Sequence, residues 1–230
     1  MTAKGVWALD RFQAGPTGSG TAGRIEQGEL LVAEQVVGFK KIKFDTMENV
    51  GAGEVDLPQQ EMQTSGLWLT LRPEVLAGIS PDRDALVDGL RGLAYLLHHL
   101  APLFLMCDVR DLGSWLGDAA AARSRSRGTA RPTGPDHRAH AGPRLLAAEQ
   151  FEPTVYLYDS QPGGVGLTER LFELIGPLLV RARETIRACS CRSGCPSCVG
   201  PVNEVGPPRQ ADDGHAPRPP DRLGPPRPGP

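Results

Sequence analysis

Hydrophobic and polar residues alternate with a period of two in the early part of the chain. Residues 31–37 place every second side chain on one face of an extended segment, and the run FKKIKF (39–44) alternates in the same way after Gly38. This pattern predicts a hairpin-like pair of strands with a turn or bulge at the glycine. The runs GLWLTL (66–71) and TVYLYD (154–159) predict two further strands.

The period changes from two to about 3.6 after residue 80. Ser80 offers an N-cap, Pro81 suits the first helical position, and Asp82 places a carboxylate at the positive end of the helix. Five leucines follow in steps of four and three, which places them on one face: Leu86, Leu90, Leu93, Leu97 and Leu100. The pattern predicts a long amphipathic helix from residue 81 to about residue 101.

A second helical pattern, LTERLFELIGPLLVRARETIRAC, follows the loop SQPGGVG. A proline interrupts the hydrogen bonds of a helix interior, so we expect a break near Gly176 and a new helix with Pro177 at its first position. Together the elements predict an α+β domain of mainly antiparallel strands. It contains one long amphipathic helix and a C-terminal helix that leads into a cysteine-rich segment.

Two segments contain too few apolar residues to build a core. Residues 117–144 are rich in arginine and residues 205–230 are rich in proline. Both compositions are typical of disordered segments. The expected organisation is a flexible N-terminal segment (1–24), the first part of the domain (25–116), an Arg-rich linker or insertion (117–144), the second part of the domain (145–204) and a disordered Pro-rich tail (205–230).

Charge and hydropathy limit the classes of protein to consider. With 25 Lys and Arg against 27 Asp and Glu, the chain lacks the strong positive charge of a general nucleic-acid binder. The longest apolar run, LAYLLHHLAPLFLMC, is interrupted by His98, His99 and Pro102, so it predicts no membrane span. The N-terminus lacks the pattern of a secretory signal. We therefore expect a cytoplasmic protein without a membrane partner.

Four of the five cysteines lie in the run CSCRSGCPSC. The spacing C-x-C-x3-C-x2-C joins two thiolate pairs by a short glycine-containing loop, which suits a single tetrahedral ion. Disulfides across these spacings would close only very small loops, and a reducing compartment disfavours them. We predict a structural zinc site, with an iron-sulfur cluster as the alternative because it also takes four thiolates. The predicted ligands are Cys189, Cys191, Cys195 and Cys198.

The fifth cysteine and two neighbouring histidines are expected to lie outside this site. Cys107 follows an apolar run, which favours a small buried hydrophobic residue over a ligand or nucleophile. His98 and His99 lie beside the leucine stripe, where histidines are more often structural than metal-binding.

The loop SQPGGVG stands between a strand and a helix and has two interpretations. Its glycine N–H groups would suit a phosphate at the helix N-terminus, but GxGxxG spacing and a lysine are missing. We favour a tight turn between packed elements. Asp159 and Glu169 are expected to cap the helix or to pair with Arg170.

Lys40, Lys41 and Lys43 are candidate contacts to a nucleic-acid backbone. Phe39 and Phe44 are interleaved with them and would then stack on bases. The alternative is a half-exposed strand with the lysines in solvent and the aromatic rings in the core.

Five motifs occur in one order along the chain: FKKIKF, TMENVGAGEVDLPQQEMQTSGLWL, LMCDVRDLG, TVYLYDSQPGGVGLTERLFE and CSCRSGCPSCVGP. They resemble successive blocks of the zinc-binding C-terminal domain of MrfA-type DEAD/DEAH-box helicases, from about residue 25 to residue 204. The resemblance implies that the four cysteines bind zinc. It also implies that the domain follows two RecA-like motor domains that translocate on DNA in repair, so DNA and these motor domains are the implied partners.

The sequence signatures of the motor are not found in this chain. The run GPTGSGTAG (15–23) has Thr21 where a P-loop needs its lysine, and no DEAD or DEAH motif occurs. We therefore expect no catalytic residues, no ATP binding and no unwinding by this chain alone. Segments 117–144 and 205–230 depart from the family pattern, which suggests a truncated or frame-shifted fragment. A stand-alone metal-stabilised module that binds protein or nucleic acid is the alternative function.

Overall fold

The computed structural model describes residues 2–15, 23–79, 82–119, 152–191 and 194–201. Within these ranges the chain forms seven strands and four α-helices, so the predicted α+β class with a mainly antiparallel sheet is confirmed. The predicted tail at 205–230 and nearly all of the predicted linker at 117–144 lie outside the described residues. None of the helices in these ranges is long and apolar enough to cross a membrane.

Five strands form the main sheet. Their bounds are β1 Thr2–Ala14, β2 Gly23–Val36, β5 Gln60–Leu71, β6 Leu112–Asp118 and β7 Pro153–Asp159. They lie in the order β1-β2-β5-β7-β6, and every neighbouring pair is antiparallel. The two remaining strands, β3 Gly38–Ile42 and β4 Asn49–Glu54, form a separate antiparallel hairpin. The strands predicted from GLWLTL and TVYLYD are therefore the second half of β5 and most of β7.

Two predictions about the first third of the chain are wrong. Thr2–Ala14 form an edge strand paired with β2, although the composition of the N-terminal segment predicts flexibility. Ala3 and Val6 of this strand are buried, whereas residues 8–14 are exposed, as expected for a strand at the edge of a sheet. The predicted pairing across Gly38 does not form, because β2 pairs with β1 and β5 while β3 pairs with β4. Alternation identifies a strand, but it does not select the partner strand.

The four helices are α1 Pro73–Ile79, α2 Arg83–Leu105, α3 Leu167–Glu173 and α4 Ile175–Ala188. The long predicted helix is α2, and it begins after Asp82, whose carboxylate accepts the N–H of Asp84 at 3.0 Å. The predicted cap at Ser80 and Pro81 lies outside the described residues. Helix α2 also continues beyond residue 101 and ends at Leu105, where Met106 caps it in a left-handed conformation.

The break between α3 and α4 lies at Leu174, two residues before the predicted position. Pro177 is the third residue of α4 and not the first. It is nevertheless tolerated, because the N–H groups of the first turn have no acceptor within the helix.

Two hydrophobic clusters lie on the two faces of the main sheet. The larger one joins β5, β6 and β7 to helices α2, α3 and α4, with Leu97, Leu171 and Leu178 fully buried. Each buried leucine contributes about 1.5–3 kcal/mol relative to an exposed one. The second cluster contains Val6, Leu30, Val32, Trp68, Tyr156 and Tyr158. The sheet curls so that β1 contacts β6, which encloses this second cluster.

Candidate metal centre

The four clustered cysteines follow directly after α4. The helix ends at Ala188, and Cys189 leaves it in an extended conformation with φ −73° and ψ 128°. Cys195 and Cys198 lie in a tight turn, in which the N–H groups of Cys198 and Val199 donate to the carbonyl of Cys195 at 3.0 Å each. The N–H of Cys195 in turn donates to Sγ of Cys198 at 3.3 Å. Backbone geometry therefore holds both sulfurs of this turn on one side.

The four sulfurs enclose a space of the size of one metal ion. Neighbouring sulfurs are separated by 3.4 Å (Cys189 to Cys191), 3.5 Å (Cys189 to Cys195 and Cys191 to Cys198) and 3.6 Å (Cys195 to Cys198). All four lie within 4.8 Å of one another. Zinc bonded to four sulfurs at about 2.3 Å requires sulfur separations of about 3.8 Å. The cluster is therefore compatible with zinc.

The same distances argue against the two alternatives. A disulfide needs a sulfur separation of about 2.05 Å, and all four cysteines are free. An iron-sulfur cluster contains several irons and bridging sulfides, so its thiolates must stand further apart than ligands that share a single ion.

Burial and hydrogen bonding act in opposite directions on two of the thiols. Cys198 is 3% exposed, and this burial raises the pKa of its thiol to about 12. The hydrogen bond with Cys189 lowers the pKa of Cys195 to about 7, with a further contribution from the backbone of Ser197. A buried thiol becomes a stable thiolate when a dication binds it, so metal binding at neutral pH must displace protons from this site.

The segment that carries the cysteines, residues 189–200, is fastened to the long helix by Val199. A Cβ at Gly92 of α2 would lie 3.0 Å from the Cβ of Val199, so the missing side chain of Gly92 provides the space for this contact. Gly194 also lies against Val199. Its φ of +93° favours glycine, and a Cβ at this position would lie only 2.5 Å from Cγ2 of Val199. A metal that orders the cysteines therefore also connects the end of α4 to α2. The sequence motif alone did not reveal this contact.

Residues 93–199 match the family model of the MrfA Zn-binding domain. This part of the chain resembles the MrfA Zn-binding domain, and we refer to it below as the Zn-binding domain. The match includes most of α2, the strands β6 and β7, the helices α3 and α4, and all four cysteines.

Two curated proteins share sequence with the chain. The ATP-dependent helicase YprA of Bacillus subtilis strain 168 is 31% identical over 176 residues, which cover 76% of this chain and 20% of the helicase. Protein MJ1572.1 of Methanocaldococcus jannaschii is 40% identical over 45 residues, or 20% of this chain and 40% of that protein. The chain thus spans about a fifth of the length of the helicase that it matches.

Solved structures agree with this assignment. The crystal structure of the DUF1998 helicase MrfA bound to DNA has a TM-score of 0.60 at 28% identity, covering 87% of this chain and 22% of the helicase. Another crystal structure of the DUF1998 helicase MrfA has a TM-score of 0.50 at 21% identity and shares the fold over 87% of this chain.

Helix α2 offers a test of how the cysteine segment of the Zn-binding domain is anchored. Gly89→Ala is expected to raise the free energy of unfolding by about 0.5–1 kcal/mol, because alanine favours a helix and nothing lies within 4 Å of the new Cβ. Gly92→Val is expected to lower it and to weaken zinc retention, because the side chain displaces Val199. Urea denaturation and chelator competition measure the two effects. Equal zinc retention in the two variants would refute the anchoring role.

The remaining cysteine and the histidines of the Zn-binding domain have structural partners. His98 Nε2 lies 2.8 Å from the carbonyl of Leu112, and burial lowers the pKa of its imidazole. His99 Nδ1 lies 2.9 Å from the carbonyl of Tyr95. Cys107 packs against the larger hydrophobic cluster, and burial raises its pKa. These residues do not belong to the group of potential metal ligands found in the described residues.

The loop SQPGGVG is closed by a carboxylate of the Zn-binding domain itself. Asp159 is fully buried, and its two oxygens accept the N–H groups of Val165 (2.7 Å), Leu167 (3.2 Å) and Thr168 (2.9 Å). The predicted capping role of Asp159 is therefore seen, and its carboxylate occupies the place where a phosphate would bind at the start of α3. Arg170 pairs with Glu173 and not with the two acids proposed from sequence.

Two further donors of this loop are also satisfied. The N–H of Gly163 donates to the carbonyl of Gln63 at 2.8 Å, and that of Gly164 donates to the carbonyl of Gln161 at 3.0 Å. Gly163, Gly164 and Gly166 have φ values of +79°, +74° and +86°, which other residues rarely adopt. The glycines therefore serve the turn.

Two of the three candidate lysines lie on strand β3 of the β3–β4 hairpin, and the third, Lys43, directly follows that strand. Lys40, Lys41 and Lys43 are all exposed, and Lys43 pairs with Glu48 at 3.3 Å. The aromatic rings beside them do not enter the core, since Phe39 is 43% exposed and Phe44 is 97% exposed. The alternative of a half-exposed strand with buried rings is wrong for this hairpin.

Proposed function

We propose that this chain is the zinc-stabilised C-terminal accessory region of an MrfA-like DNA helicase and serves DNA repair through that parent helicase. The observation that carries the proposal is the cage of four cysteine sulfurs within a fold that is similar, over most of the chain, to a helicase bound to DNA. The proposed compartment is the cytoplasm, where reducing conditions favour thiolate ligands over disulfides.

Cys189, Cys191, Cys195 and Cys198 are the proposed ligands of one zinc ion. When bound, zinc supplies a fourfold crosslink and, with four protein ligands, leaves no position for a reacting water. The cysteines therefore hold the end of α4 against α2, and Val199 transmits that restraint to Gly92. This arrangement supports a structural role and not a hydrolytic one.

ATP binding is assigned to the motor of the parent helicase and not to this chain. The glycine loop before α3 has its helix-end donors bound by Asp159, so no free phosphate cradle remains at that point. We expect the purified chain to hydrolyse no ATP, with or without DNA. A phosphate-release assay measures this directly, and steady turnover that scales with the concentration of the chain would contradict the proposal.

The β3–β4 hairpin provides the proposed contacts to both partners. Lys40 and Lys41 are exposed and are assigned to DNA phosphates, whereas Lys43 contributes less because Glu48 neutralises it. Phe44 and Met47 are strongly exposed at the end of the hairpin. Large apolar side chains held in solvent favour a protein contact, and we assign this end to the helicase motor.

A domain exchange tests the proposed function. The matching region of the Bacillus subtilis helicase is replaced by residues 2–204 of this chain, which include β1, and DNA-dependent ATP hydrolysis and unwinding are measured. The hybrid is expected to unwind DNA faster than the same helicase with this region deleted. A hybrid that also carries Cys195→Ser and Cys198→Ser is the matched control and is expected to behave like the deletion.

The alternative, a stand-alone metal-stabilised interaction module, predicts a different result. In that case the exchange hybrid would bind zinc but would unwind no better than the deletion. A zinc-loaded hybrid with that deficiency would therefore overturn the helicase assignment without affecting the metal site.

A further inference from the structure

One face of the β3–β4 hairpin has an unusual composition. Phe39 and Lys41 of β3 stand opposite Gly53 and Gly51 of β4, so two side chains lie over two residues that have none. A Cβ at Gly53 would be only 2.7 Å from the ring of Phe39, which shows that the ring lies on the glycine backbone. We call the face formed by these four residues the Phe39 face.

The Phe39 side chain is partly open to solvent. The inner side of the ring rests on Gly53, while the side chain of Phe39 remains 43% exposed. Lys41 Nζ lies over the ring at 5.9 Å from its centroid, and no acidic side chain of the described residues pairs with it. The two strands of the hairpin thus present an aromatic ring and a positive charge without an acidic partner side by side.

We propose that the Phe39 face is a stacking platform for an unpaired base of single-stranded DNA. This inference rests on the proposed function and deepens it by naming the form of DNA that the hairpin binds. The ring of Phe39 would stack on the base, and the ammonium of Lys41 would pair with a neighbouring phosphate. Stacking on aromatic side chains beside positive charges is the usual way in which single strands are bound without sequence preference.

The geometry favours a single strand over a duplex. In a duplex both faces of each internal base are covered by neighbouring bases, so a protein ring cannot stack on them without disrupting the helix. The hairpin also carries only two lysines without an acidic partner in the described residues, Lys40 and Lys41, which is few for tracking a duplex backbone. A ring that accepts any exposed base face compensates for this modest charge.

Binding of the full chain to fluorescein-labelled oligo(dT) and to a mixed-sequence duplex of equal length tests the platform. Phe39→Ala is expected to weaken oligo(dT) binding about ten-fold, while Phe39→Trp retains or tightens it. Phe39→Leu keeps an apolar cover over Gly53 but has no aromatic face, so it should resemble the alanine variant. Phe12→Ala, which removes an exposed ring of β1 outside the hairpin, is the matched control and should bind like the wild type.

The result separates the platform from the broader proposal. If the wild type binds oligo(dT) and the Phe39→Ala and Phe39→Leu variants bind it equally well, the platform is refuted while the helicase assignment stands. An equal loss of duplex binding in Phe39→Ala would refute the preference for single strands. If the wild type binds neither DNA, the platform and the assigned lysine contacts both fail, and the domain exchange still decides the accessory role.

The role of Lys41 has a separate signature. Lys41→Gln is expected to weaken oligo(dT) binding and to reduce the slope of log affinity against log salt by about 0.7, as the loss of one phosphate contact requires. Phe39→Ala should leave that slope unchanged, because stacking releases no counterions. Equal slopes in Lys41→Gln and the wild type would refute the phosphate contact.

Discussion

Replacing Cys195 and Cys198 by serine together is expected to abolish zinc binding and to cause the largest loss of stability of any change described here. Structural zinc in small zinc-finger peptides contributes an apparent free energy of about 10–16 kcal/mol, which is comparable to the whole stability of a typical domain. The segment that carries the four cysteines contacts α2 through Val199, so loss of the proposed zinc should release the C-terminal helix from the core. Elemental analysis and thermal denaturation followed by circular dichroism measure both effects.

Cys107→Ser is the matched control for the double replacement. Cys107 is a free cysteine that lies outside the cluster, so its replacement should leave one zinc per chain and change stability by far less. A double variant that keeps its zinc would contradict the ligand assignment. Iron with visible absorbance in the wild type would instead support the cluster that the sulfur distances disfavour.

Removal of the Asp159 carboxylate is expected to be the second largest effect. Asp159→Ala leaves three N–H groups without their acceptor, that of Thr168 fully buried and the other two partly buried, and we expect a loss of about 3 kcal/mol. The loop that this carboxylate closes also connects β7 to β5, because Thr64 Oγ1 donates to the carbonyls of Asp159 and Gln161. Urea denaturation measures the loss.

Two variants serve as controls for Asp159→Ala. Asp159→Asn keeps the shape and one acceptor oxygen, so it should lose about half as much stability. Glu169→Gln removes an exposed carboxylate from the first turn of the same helix and should change stability by less than about 0.5 kcal/mol. If Asp159→Ala were no more destabilising than Glu169→Gln, the carboxylate would not be what closes the loop.

The elements that the sequence identified have strong local signals. Three leucines of the predicted stripe of α2 are buried (Leu90, Leu97 and Leu100) and the other two are half-buried, because helix periodicity depends only on neighbours along the chain. The runs 66–71 and 154–159 were predicted as strands for the same reason. The choice of strand partners was not predictable in this way, and β1 and the β2–β3 connection were therefore misjudged.

The sequence likewise predicted some features of the candidate site and not others. The cysteine spacing was sufficient to predict one group of four thiols, since ligands so close along the chain can hardly avoid meeting in space. The contact of Val199 with Gly92 joins residues far apart in sequence, so no local sequence pattern predicts it. The run GAG (51–53) lies opposite FKK (39–41) in the hairpin. Its two glycines indicate the Phe39 face only when the register of β3 and β4 is known.

Short-range pattern or spacing was enough to predict the class of fold, the long helix, the group of four cysteines and the resemblance to a helicase domain. The order of the strands, the closure of the glycine loop by Asp159 and the ring of Phe39 lying on Gly53 were visible only in the folded chain. These features arise from contacts between segments that are far apart in sequence. The energies of such contacts depend on the distances between the groups and on their burial, and both are set only when the chain folds.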